Sequence, residues 1–109
     1  SEQRFYHYTD EDGYKAIHSQ PIWTFKAKQP PANHPLGAYF TTLAPDTPML
    51  AQRLRVPTTK IQWVFAFTGG EGLRPLKGGR GRFIFFSPHD YNVDKSRQMF
   101  AGRTVDAKV

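Results

Sequence analysis

Phe5-Tyr6-His7-Tyr8-Thr9, read with Gly37-Ala38-Tyr39-Phe40-Thr41 further along, decides how this chain is interpreted. The first stretch predicts a short strand, Phe5 to Tyr8, that ends in an exposed His and runs straight into a helix. The second predicts a strand that begins at a Gly and carries a Tyr-Phe pair. A His at one strand end and an aromatic on a neighbouring strand can build one cleft. In it the His donates hydrogen bonds to a sugar, and the Tyr offers its face to a flat ring.

Working outward, Thr9-Asp10-Glu11-Asp12 opens the helix, with Thr9 as its cap and the acids at its positive end. Tyr14, Ile17 and His18 fall on one face, and Gln20-Pro21 stops the helix. Ile22 to Phe25 is a short apolar strand. Lys26 to Leu36 is a loop rich in Pro, Ala and Lys. A second helix starts at Pro45-Asp46-Thr47-Pro48, with Thr47 as cap and Pro48 in first position. It runs to about Arg55, turns Met49, Leu50 and Leu54 inward, and ends at Val56-Pro57. Ile61–Thr68 and Arg82–Ser87 are apolar on nearly every residue, which predicts two central strands. The Gly-rich stretch Gly69 to Gly81 lies between them and carries Arg74, Lys77 and Arg80. Beyond Pro88 the chain turns polar. Met99-Phe100 is a last short strand or turn, and Val105 to Val109 is expected to be a disordered tail.

With 109 residues, this reads as one α+β domain structured over about residues 4–104. Nine Phe, five Tyr and two Trp are enough bulk for a core, and Trp23 and Trp63 are expected inside it. Nine Gly and nine Pro argue against long helices. No apolar run approaches a membrane span, and no signal-peptide pattern is present. The start at Ser1 is expected of a fragment or processed domain. The absence of Cys excludes disulfides, thiolate metal sites and Cys nucleophiles. The four His show no metal-ligand spacing, so no metal is expected. A net charge of +6 favours anionic partners: a dinucleotide, nucleic acid, an acidic protein or a membrane surface.

The order Tyr6-His7-Tyr8-Thr9, Asp12-Gly13-Tyr14-Lys15-Ala16-Ile17, Gly37-Ala38-Tyr39-Phe40-Thr41, followed by two apolar strands, resembles the ADP-ribosyltransferase toxins named for a His, Tyr and Asp signature. The resemblance runs from about Arg4 to Asp94. It implies a compact ADP-ribosyltransferase-like fold, with a curved or split sheet and two short helices. It also implies a mono-ADP-ribosyltransferase that uses NAD as substrate and releases nicotinamide. Toxins of this kind resemble the C-terminal parts of larger polymorphic or Rhs-like bacterial effectors. They are secreted or injected, act in the target-cell cytoplasm during interbacterial competition, and meet a cognate immunity protein. A basic toxin suggests an acidic one.

In similar transferases the first-strand His, here His7, hydrogen-bonds a ribose hydroxyl. The next residue, Tyr8, holds the nicotinamide amide through its backbone, and Tyr39 stacks on the nicotinamide ring. Thr9, Gly37, Phe40 and Arg82 complete the implied NAD-binding set, with Phe40 facing the core. The transition state is close to an oxocarbenium ion, which a nearby carboxylate stabilises. Arg82 stands where fold relatives often carry a Glu. Asp94, in Val93-Asp94-Lys95-Ser96, is favoured over Asp90 as the acid, with Glu71 third. Arg74, Lys77 and Arg80 suit phosphates of NAD or of a target, and the charge favours RNA or a ribonucleoprotein over protein as acceptor. Two rival readings are a basic ribonuclease with His7 and His89 as acid and base, and a non-catalytic RNA-binding module.

Overall fold

The computed structural model describes residues 2–78 and 82–109. Arg80 therefore lies outside the described residues. The domain is α+β with two short helices, as expected, and its sheet is mostly antiparallel. The strands are β1 (Arg4–Thr9), β2 (Trp23–Phe25), β3 (Ala38–Thr41), β4 (Trp63–Thr68), β5 (Arg74–Pro75), β6 (Ile84–Ser87), β7 (Tyr91–Val93) and β8 (Gln98–Arg103). The helices are α1 (Glu11–His18) and α2 (Leu50–Leu54). Six strands form one sheet in the order β5-β6-β3-β1-β4-β8, and β2 pairs with β7 in a separate ribbon. Among the described residues, no helix is long and apolar enough to cross a membrane.

Alternation along β1 sends side chains to two faces of the sheet. Phe5 joins Trp23, Phe25, Phe40, Phe65, Phe67, Tyr91 and Val93 in the main core, which α1 covers through Tyr14 and Ile17. Tyr6 packs on the other face with Val64 and Ala66. The tail expected to be disordered closes that second cluster with Ala107 and Val109. It packs because Tyr6, Val64 and Ala66 leave apolar surface that the short α2 does not cover. Trp23 is in the core as expected, while Trp63 is half-buried against Tyr14, with ring centroids 4.4 Å apart.

Several boundaries differ from expectation for local reasons. Asp10, not Thr9, caps α1: its Oδ1 accepts from the Gly13 N–H at 2.9 Å, because Thr9 is still paired to Trp63 in the sheet. Helix α2 begins at Leu50, since Met49 takes a left-handed step (φ 57°) and cannot continue a helix from Pro48. That step turns Met49 outward, 66% exposed, instead of inward. The segment before β4 forms a 3-10 turn at Thr58–Ile61, so the strand starts at Trp63. Strand β4 is central and buried from Val64 to Phe67, whereas β6 lies next to the short edge strand β5 and is half-buried. Met99-Phe100 belongs to the six-residue strand β8.

Candidate functional site

Strand β1 pairs with β4 along all of its residues but with β3 only at Tyr6↔Thr41. Beyond that point β1 and β3 part. The His7 side chain bridges the gap, its Nδ1 lying 2.9 Å from the Tyr39 carbonyl oxygen. A carbonyl only accepts, so Nδ1 carries the proton. Burial pushes the imidazole below its usual titration range, and the nearby Lys28 charge pushes the same way, so the ring is neutral near pH 7. Nε2 is then an acceptor. It has no hydrogen-bond partner among the described residues. The nitrogen of His7 left over from the seam is thus an acceptor, where the sequence reading expected a donor.

Two clefts open from this seam, one on each side of the sheet. The first, about 530 Å³, lies between the sheet and the α2 segment and is lined by Tyr6, Tyr8, Thr41, Leu54, Val56 and Lys60, among others. The second, about 420 Å³, lies between the sheet, α1 and β2, with Thr9, Gly13, Thr24, Lys26 and Lys28 in its walls. His7, Pro30 and Tyr39 line both clefts. Each volume is that of a ligand site. Arg55 and Lys60 face the first cleft and Lys26 and Lys28 the second, and among the described residues neither cleft has an Asp or Glu in its wall. Lys60 is paired with Asp10 at 2.6 Å and Lys26 with Asp90 at 3.4 Å.

Tyr39 is held on two sides. Its hydroxyl donates to the Pro35 carbonyl, and its ring stacks on Phe86 with centroids 5.5 Å apart and 17° between planes. Gly37 has a packing reason to be Gly: a Cβ there would sit 2.5 Å from the Ser87 carbonyl oxygen and 3.0 Å from the Phe86 ring. Tyr8 donates from its hydroxyl to the Leu43 carbonyl at 2.7 Å, and burial raises its ionisation far above the ordinary phenol range. Phe40 is buried in the main core and also lines the first cleft.

The expected acids are not brought into either cleft. Asp94 is exposed in the β7–β8 turn, where its carboxylate accepts from the Ser96 hydroxyl at 2.7 Å. Asp90 sits at the opposite end of β7. Its Oδ1 accepts from the Ala27 N–H at 2.8 Å and its Oδ2 faces Lys26, one residue removed from the second cleft. The Ala27 bond holds the Asp90 carboxyl below its ordinary range. Glu71 is exposed, and its carbonyl accepts from the Tyr91 hydroxyl at 2.8 Å, beyond the Phe5 end of β1. Arg74, Lys77 and Arg82 are exposed around the β5–β6 hairpin. Leu76 and Ile84 of that hairpin line the first cleft.

Sequence reasoning missed Asp10, Lys60, Lys28 and His34 near these clefts. His34 lines the first cleft with His7, while His89 is exposed and lines neither. Only a helix-cap reading of Asp10 could have flagged that end of β1. Comparisons with protein-family models, curated proteins and solved structures find no match to the chain.

Proposed function

We propose that the domain is a mono-ADP-ribosyltransferase that takes NAD in the paired clefts and passes ADP-ribose to a macromolecular acceptor, with loss of nicotinamide. One observation carries this reading. The two residues singled out in the sequence, His7 and Tyr39, meet at the seam where the sheet opens to both faces. Arg55 in the first cleft and Lys28 in the second have no ion pair among the described residues and favour an anionic ligand, and each cleft has the volume of a ligand site.

In this reading the Nε2 of His7 accepts from a ribose hydroxyl and fixes the sugar. Tyr39, already backed by Phe86, gives its other face to the nicotinamide. The C–N bond to nicotinamide breaks with its electron pair leaving on the base. The acceptor nucleophile then bonds to the ribose carbon and loses its proton. Of the three expected acids only Asp90 contacts a residue of a cleft wall, Lys26, among the described residues, and we assign it the role of steadying the positive charge. This moves the preference away from Asp94. The roles of a secreted or injected effector toxin and of an acidic immunity partner follow from the family resemblance and belong to the same proposal.

The test is a melt of the purified domain with and without NAD, together with nicotinamide release and transfer of labelled ADP-ribose in a cell extract. NAD at a hundredfold excess over its Kd adds about 2.7 kcal/mol of stability. An unchanged melting temperature and no nicotinamide release refute the reading. Asp90→Asn is expected to lower turnover by about 10²–10³, the usual loss for one such electrostatic contact, and Asp94→Asn to leave it near wild type.

A further inference from the structure

The sheet carries a row that the transfer chemistry leaves unused. Arg74 on β5 is the register partner of Phe86 on β6, and Phe86 is the partner of Tyr39 on β3. Register partners on adjacent strands point to the same face, about 4.8 Å apart. A cation and two aromatic rings therefore stand in line across three strands. The inner two are stacked, with centroids 5.5 Å apart and planes 17° from parallel. Gly37 leaves the space that the Phe86 ring fills. Both rings keep partial exposure, and Arg74 is fully on the surface. Lys77 and Arg82, at the two ends of the same hairpin, are also exposed. Among the described residues, none of these three cations has a side-chain hydrogen bond or an ion pair.

We infer that this face binds single-stranded RNA, with a base on the Phe86 ring and phosphates at Arg74, Lys77 and Arg82. Every base has a π-face, so aromatic platforms beside cations hold unpaired strands with little regard to sequence. Duplexes hide that face, and RNA loops and ends are where a protein meets splayed bases. The net charge of +6 adds the long-range attraction. The row ends at Tyr39, which lines both clefts, so a base on Phe86 lies one strand away from the candidate donor site. As the acceptor of transfer, the RNA rests on the reading above. As a binding surface, it stands apart from that reading.

The experiment is fluorescence anisotropy of a labelled single-stranded RNA oligomer with the domain, without NAD, over a range of salt. Three phosphate contacts give a slope of log K against log salt of about −2, and Arg74→Ala reduces it by about 0.7. Phe86→Leu keeps an apolar side chain over Gly37 but loses the platform, and weakens binding by about tenfold while circular dichroism still shows the folded domain. The same oligomer as duplex RNA is expected to bind less tightly. Salt-independent binding, wild-type affinity in a folded Phe86→Leu, or a preference for duplex or for DNA each overturns the inference. So does labelled ADP-ribose confined to protein in a domain that binds no RNA. An NAD-induced rise in melting temperature without RNA binding removes this inference alone. RNA binding without any effect of NAD removes the transferase reading alone.

Discussion

Replacing His7 with Phe isolates the bond that closes the seam between β1 and β3. The new ring keeps the His7 contacts to Phe25 and Phe40, whose centroids lie 4.8 and 5.7 Å away. What disappears is the 2.9 Å bond to the Tyr39 carbonyl. A part-buried acceptor left without its donor costs about 1–3 kcal/mol. In a domain of this size that lowers the melting temperature by roughly 5–20 °C. His7→Asn separates the two nitrogens, because its amide N–H takes the place of Nδ1 while nothing takes the place of Nε2. It is expected to melt closer to wild type than the Phe variant and still to lose NAD binding. The pH dependence gives an independent check. The unfolded chain takes a proton near pH 6.5, the ordinary His value, and the folded ring resists it. Stability therefore falls as pH drops through that value, by up to about 1.4 kcal/mol per unit, until the folded ring itself is protonated. Neither variant has this component. Thermal melts followed by circular dichroism across pH 5–7.5 provide the readout. Equal melting temperatures for wild type and His7→Phe, with the same pH dependence, refute both the seam bond and the neutral imidazole.

Three further outcomes are expected. Gly37→Ala places a methyl group 2.5 Å from the Ser87 carbonyl oxygen, and denaturant melts are expected to show a loss of about 1–3 kcal/mol as β3 and β6 shift apart. Arg97 donates to the Thr68 and Gly69 carbonyls and to the Tyr91 hydroxyl while lying over the Phe67 and Tyr91 rings, so Arg97→Met is expected to cost about 3 kcal/mol in the same assay, and a loss below 1 kcal/mol refutes the clasp. Tyr39→Phe keeps the stack on Phe86 and loses only the tie to Pro35, so transfer is expected to stay within about threefold of wild type, whereas Tyr39→Ala abolishes it; equal loss in both assigns the effect to the hydroxyl and refutes ring stacking.

Much of the fold was legible in local sequence. The alternating and apolar runs placed β1, β3, β4 and β6, and Pro21 placed the end of α1, because strand period and proline geometry act over a few residues. The class followed, mixed α+β with two short helices, while the antiparallel order of the sheet came only from the structure. His7 and Tyr39 stood out through the motifs around them, although His7, expected at the end of its strand, lies inside β1 because Tyr8 and Thr9 stay paired to β4. Which residues joined them did not follow. Lys60 reaches Asp10 across fifty positions, and Asp90 binds the Ala27 backbone across sixty-three. The proposed preference for Asp90 over Asp94 rests on which end of β7 lies beside Lys26 and the second cleft, and spacing along the chain carries no information about that. The state of His7 was equally out of reach of sequence. The residue type allows either ring nitrogen to carry the proton, and only the Tyr39 carbonyl, brought up by the parting of β1 and β3, decides for Nδ1 and leaves Nε2 to accept.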